Sequence, residues 1–150
     1  ENMLISHKAS DESLVKIFSQ IPKNLTEKAE NLLNFVGLYQ KRKLRAGDLS
    51  FGQQKLLELA MALMNEPEML LLDEPTAGIN PTLINGIIDR LIKVNQDFGI
   101  TLFVIEHNMR VIMQLAESIF CLAHGQMLAN GTPEEIKNDK RVIDAYLGAQ

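Results

Sequence analysis

Two unbroken apolar runs, MLLLDE (Met69 to Glu74) and ITLFVIE (Ile100 to Glu106), flank one amphipathic segment, and nothing else in the chain limits its fold as strongly. Runs of this kind are typical of strands covered on both faces in a parallel sheet. Between them Pro81 opens a helix on which Ile84, Ile87, Ile88 and Leu91 recur at helical spacing, and Gly99 follows its end. The expected unit is strand–helix–strand with a right-handed crossover. Each run ends in groups that carry charge or protons, Asp73-Glu74 in the first and Glu106-His107 in the second. The carboxyl ends of strands are where open α/β sheets hold their ligands.

The remainder reads as helices and one hairpin. Leu14, Ile17 and Phe18 recur at helix spacing, as do Ala29, Leu32, Leu33 and Val36, with Thr26 as a candidate cap for the second group. Ser50 caps the next helix, on which Leu56, Leu59, Ala60 and Leu63 form a stripe. A short helix is expected from Met109 to about Ala116, then a hairpin through SIFCLA, HGQ and MLANG. Thr132 and Glu135 form a capping box, and a last helix runs from Lys140 to about Leu147. The fold class is α/β, with a helical part over residues 1–65 and an α/β part over 66–150. A net charge of −4 argues against a general nucleic-acid binder, and the basic run at Lys41 to Lys43 reads as a solvated loop. Cys121 sits in a core strand with no second cysteine to pair with. No apolar stretch approaches the roughly 20 residues of a membrane span, so the chain is expected to be soluble by itself.

Three groups carry chemistry. LSFGQQK places Ser50 and Gly52 at a helix amino end, where free N–H groups favour an anion; a plain cap explains the same residues. Asp73 and Glu74 suit a division of labour, one supporting Mg²⁺ and the other handling an attacking water; a solvated strand end is the alternative. His107 is either a hydrogen-bonded strand tip or a member of the same crevice as Glu74.

Taken together, LSFGQ, MLLLDEP, AGIN and EH occur in the order and spacing found in the ATP-binding subunits of ABC transporters, which the chain resembles over essentially its whole length. Within that family it is most similar to the branched-chain amino-acid uptake branch, which has an aromatic residue where Phe51 stands, asparagine where Asn80 stands, and an ending like LANGTPEEI…VIDAYLG. The resemblance implies a partial P-loop (RecA-like) core with a parallel sheet and a helical subdomain. It implies that Ser50, Phe51, Gly52 and Gln53 serve ATP bound by a partner subunit. Asp73 would hold the Mg²⁺ shell, Glu74 would activate water, His107 would contact the γ-phosphate, and Asn80 would lie at the subunit interface. The implied partners are a second ATP-binding subunit, identical or related, and transmembrane permease subunits, at the cytoplasmic face of the membrane. Asn108 stands where the family usually has aspartate.

A P-loop needs GxxxxGK[ST], and none of the nine glycines precedes a lysine. The chain is therefore expected to be the C-terminal part of such a subunit, inactive as an ATPase by itself. One face or edge of its sheet should be left uncovered, and a flat apolar edge recruits another chain, so a dimer or swapped assembly is expected. The alternatives are the ATPase of a lipopolysaccharide-export type system and a non-catalytic interaction module.

Overall fold

A computed structural model describes residues 1–6 and 22–146. The expected helix through Leu14, Ile17 and Phe18 lies outside the described residues, as does Leu147. The chain divides into two compact units, Glu1–Val104 and Ile105–Gln150.

In the first unit, α1 (Asn2–Ile5) and α2 (Lys23–Phe35) precede α3 (Phe51–Leu63), with short 3-10 turns at Tyr39–Lys41 and Ala46–Asp48 between the last two. Ala29, Leu32, Leu33 and Val36 are all buried, so the helical spacing in the sequence marks the packed face of α2. Its end is a Schellman motif: Leu38 N–H donates to Leu33 O at 2.7 Å and Gly37 N–H to Asn34 O at 3.0 Å. Gly37 takes φ +75°, the left-handed geometry that motif requires. Thr26 is not the cap. The cap is Pro22, four residues earlier, because its carbonyl already accepts from the N–H groups of Leu25 and Thr26. Lys28 pairs with Glu66, the Phe35 and Phe98 rings meet edge to face at 5.1 Å, and Asn65 Nδ2 donates to Ser6 O at 2.9 Å. In α3, Leu59, Ala60 and Leu63 are buried, followed by Met64, whereas Leu56 is only half-buried.

The strands β1 (Met69–Asp73) and β2 (Thr101–Ile105) are hydrogen-bonded neighbours in a parallel pair, joined through α4 (Pro81–Phe98). Ile84, Ile87, Ile88 and Leu91 are buried as expected, and Val94 joins them. Runs of this kind are typically covered on both faces, but here one face is open, in line with the expectation of an uncovered face or edge. Leu70 is buried, but its neighbour Leu71 is 75% exposed, and Met69, Phe103 and Ile105 stand exposed as well. Successive strand residues point to opposite faces, so the described residues cover one face of an apolar run that has two.

The second unit holds α5 (Met109–Leu115), the antiparallel hairpin β3 (Ile119–Ala123) and β4 (Gln126–Gly131), then α6 (Pro133–Asn138) and α7 (Lys140–Tyr146). His124 and Gly125 both take positive φ, +50° and +75°, as a two-residue hairpin turn of the primed type demands. Cys121 pairs with Ala129 while Leu122 pairs with Met127, which leaves Leu128 as a bulge. Ile119, Cys121, Ala129, Ile136 and Val142 form the core of this unit. Burial, with Asp139 as a lesser influence, pushes the Cys121 thiol up, so it stays protonated and is a poor nucleophile. Tyr146 Oη donates to Leu122 O at 2.6 Å and ties α7 back to the hairpin. The outer face of the hairpin is apolar too, with Phe120, Leu122 and Met127 exposed.

Two outcomes follow from this architecture. Burying one such side chain is worth about 1.5–3 kcal/mol, so the purified 150-residue chain should self-associate, and Leu71→Lys with Phe103→Lys should shift it toward monomer. Light scattering coupled to size exclusion, run over a range of concentrations, checks this; a wild-type monomer at high concentration excludes it. The second concerns the capping box of α6. Thr132 N–H donates to Glu135 Oε2 at 2.8 Å, and these bonds hold the Glu135 carboxyl below the usual glutamate range. A lowered folded value means the cap contributes above the unfolded value and is lost as pH falls through the folded one. Protection of the α6 amides, measured against their intrinsic exchange rates, should therefore fall on acidification, and Glu135→Gln should remove that pH dependence.

Candidate functional site

The amino end of α3 is organised by short-range bonds. Ser50 takes an extended backbone (φ −64°, ψ 158°) and forms a capping box with Gln53, its N–H donating to Gln53 Oε1 at 3.2 Å. Lys41 Nζ donates to the same oxygen at 3.2 Å. Gln54 Nε2 donates to Ala46 O and to Leu49 O, each at 3.2 Å, and so ties the incoming loop to the helix. Lys41 and Gln54 were not singled out in the sequence. Their signal is only proximity, because Lys41 belongs to a basic run that reads as solvated and Gln54 is one of two adjacent glutamines. Gly52 is buried, with Leu83 Cδ1 and Ile79 Cγ2 at 3.5 and 3.7 Å from where a Cβ would stand. Phe51 is half-exposed.

At the carboxyl end of β1, Asp73 is the last strand residue and Glu74 the first beyond it, both exposed. Glu74 takes φ +45°, a conformation that costs a side-chain-bearing residue about 1–2 kcal/mol. The turn that imposes it is closed by Ala77 N–H donating to Glu74 O at 3.0 Å and by Ile79 N–H donating to Thr76 O at 3.3 Å. Thr76 is buried at 5% exposure. Gly78 follows at φ +70°, and Asn80 caps α4, its Oδ1 accepting from Thr82 N–H at 3.0 Å and Thr82 Oγ1 at 2.9 Å. The structure thus brings the Ser50 helix and the Gly78–Asn80 turn together through Phe51 and Gly52. The asparagine expected at a subunit interface has its side chain engaged in this cap.

His107 belongs to the second unit, exposed, one residue before Asn108. Asn108 caps α5, accepting from Arg110 N–H at 3.1 Å, while its own N–H donates to Glu106 Oε2 at 3.2 Å. Asparagine and aspartate are equivalent as helix caps, which accounts for Asn108 standing where the family pattern has the acid.

Among the described residues no group of three acidic, histidine or cysteine side chains could hold a metal ion unaided. Two adjacent exposed carboxylates at a strand tip fit Mg²⁺ in another way, since that ion keeps water and takes phosphate oxygens beside one or two carboxylates. The donor set therefore suits a metal that arrives with a phosphate ligand. The left-handed backbone at Glu74 gives a direct test. Asparagine tolerates this region better than alanine, so Glu74→Asn should be more stable than Glu74→Ala by about 1 kcal/mol in urea unfolding; equal midpoints would show that the turn is relaxed.

Comparison with known proteins bears on this arrangement. The family profile described as ABC transporter matches residues 2–77, and that described as branched-chain amino acid ATP-binding cassette transporter matches residues 126–150. The chain is 33% identical over its whole length to the probable branched-chain amino acid transport ATP-binding protein LivG of Archaeoglobus fulgidus, spanning 60% of that protein. It is 35% identical to the high-affinity branched-chain amino acid transport ATP-binding protein LivG of Escherichia coli over 87% of the chain, spanning 51% of that relative. A solved ATP-binding cassette of an ABC transporter in its ADP conformation superposes with a TM-score of 0.80 at 35% identity, over 98% of this chain and 61% of that one. The chain thus spans a little over half the length of the relatives it matches. With the ordered motifs seated on the elements described above, it belongs to the ABC transporter family, on the branched-chain amino-acid branch of the ATP-binding subunits.

Proposed function

We propose that the chain is part of an ATP-hydrolysing subunit that powers uptake of branched-chain or similar amino acids. The observation that carries this reading is the seating of the motifs: a serine-capped helix packed on the Gly78–Asn80 turn, with Asp73 and Glu74 at the start of that turn. The names of the relatives support the choice of solute. On this reading residues 1–65 are the helical subdomain and 66–150 the C-terminal part of the nucleotide-binding core.

Bound Mg²⁺ would supply positive charge to the phosphates. Asp73 would hold that ion, through its water shell. Glu74 orients the attacking water and takes a proton from it. Ser50, Gly52 and Gln53 present a hydroxyl, first-turn N–H groups and an amide to the γ-phosphate of a nucleotide held by a partner subunit. His107 donates a hydrogen bond to the γ-phosphate in its own half-site. The partners are a second ATP-binding subunit and membrane-spanning permease subunits, with the chain peripheral at the cytoplasmic face; no described helix is long and apolar enough to cross a membrane.

A second reading, a non-catalytic docking module, draws on the capping box, which already engages Ser50 and Gln53. One experiment separates the two. The 150-residue chain is mixed with a full-length, P-loop-bearing ATP-binding subunit of this branch, with and without Mg-ATP. The nucleotide reading expects pairing strengthened at least tenfold by ATP and lost in Ser50→Ala, with no turnover by the chain alone. Pairing indifferent to ATP and to Ser50 supports the docking module. Magnesium-dependent turnover by the isolated chain, abolished in Glu74→Gln, contradicts the expected inactivity.

A further inference from the structure

Phe51 has a contact that phosphate binding does not use. Its ring lies against Gly78: a Cβ placed there would come within 3.2 Å of Cε1 and 3.8 Å of Cδ1 and Cζ. The φ of +70° at Gly78 independently disfavours a side chain. The ring is not core filling, because Phe51 is 51% exposed. It is a surface aromatic set against a backbone turn, with Lys55 Nζ 5.7 Å from its centroid. Gly52 faces Ile79 and Leu83, so two successive residues of α3 rest on the segment that leads into α4. The other end of that segment is Glu74, held at φ +45° by the Ala77 N–H bond to its carbonyl. The ring contact and the carboxylate are thus the two ends of one short, tightly bonded loop.

We propose that Phe51 is a positioning residue, whose ring clamps the Gly78 turn and so fixes the backbone from which Glu74 and Asn80 project. The inference rests on the nucleotide reading above and deepens it. On that reading Ser50 serves the partner's nucleotide and Glu74 serves the nucleotide of its own half-site. The clamp therefore connects the two sites inside one chain. A flat ring packs closest over a bare Cα, and Gly78 supplies one beneath Phe51. Shortening Phe51 frees the turn, and adding a methyl at Gly78 lifts the ring.

The test uses the 150-residue chain as wild type, Phe51→Ala, Phe51→Tyr and Gly78→Ala. Amide exchange at Ala77 and Ile79 should quicken about tenfold in Phe51→Ala, and ATP-dependent pairing with the full-length subunit should weaken by a similar factor. Phe51→Tyr keeps the ring and should restore both, while Gly78→Ala should reproduce the loss. Melting followed by circular dichroism checks that Phe51→Ala is folded; if it is not, Phe51→Leu, which removes the ring but keeps an apolar side chain, carries the same comparison. Unchanged exchange in Phe51→Ala overturns the inference. So does a loosened turn that leaves pairing intact while Ser50→Ala abolishes it. Wild-type pairing that ignores ATP and Ser50 is a different failure, and it removes the nucleotide reading together with this one.

Discussion

Between Asp73 and Pro81 the chain leaves a strand, turns back and enters a helix, and the chemistry proposed for this protein depends on how rigidly that reversal is held. Two of its residues, Glu74 and Gly78, sit at positive φ. A glycine meets that geometry without penalty, whereas a glutamate does not. Three restraints stand against the penalty: the Ala77–Glu74 and Ile79–Thr76 bonds, the burial of Thr76, and the Asn80 cap that starts α4. Strain of this kind persists only where the surroundings over-determine it. The backbone so fixed sets the direction in which the Glu74 side chain leaves the strand tip.

Much of this was legible because it is local. Thr132 and Glu135 lie three residues apart, so spacing alone reveals their capping box, and Ser50 was legible as a cap although its box partner Gln53 was not read. The buried stripe of α4 and the two strands follow from hydrophobic period and run length. Thr26 misled because a threonine inside the first turn looks like a cap, whereas helix entry was decided by the carbonyl of Pro22. The open face of β1 and β2 was not readable from the runs themselves. An apolar strand reports what it could bury and says nothing of what covers it. The Phe51–Gly78 contact joins segments on different elements, and left-handed glutamate at position 74 has no compositional signature, so neither could be read from pattern.

The two units show different ways of completing a small core. In the second, five buried residues from the hairpin, α6 and α7 close on one another, and Tyr146 stitches the last helix to β3. In the first, α2 and α4 bury their stripes and α3 most of its own, while the strand pair keeps an apolar side toward solvent.

The bond between Ser50 and Gln53 has a consequence for any anion that approaches α3. The Ser50 N–H and the Gln53 side chain that would greet it are already engaged with each other, and Lys41 donates to the same amide oxygen. An incoming phosphate must therefore exchange one set of hydrogen bonds for another instead of filling an empty seat, and exchange yields far less net free energy than fresh contact. Such a surface would hold its guest loosely and recover its resting bonds unaided once the guest departs.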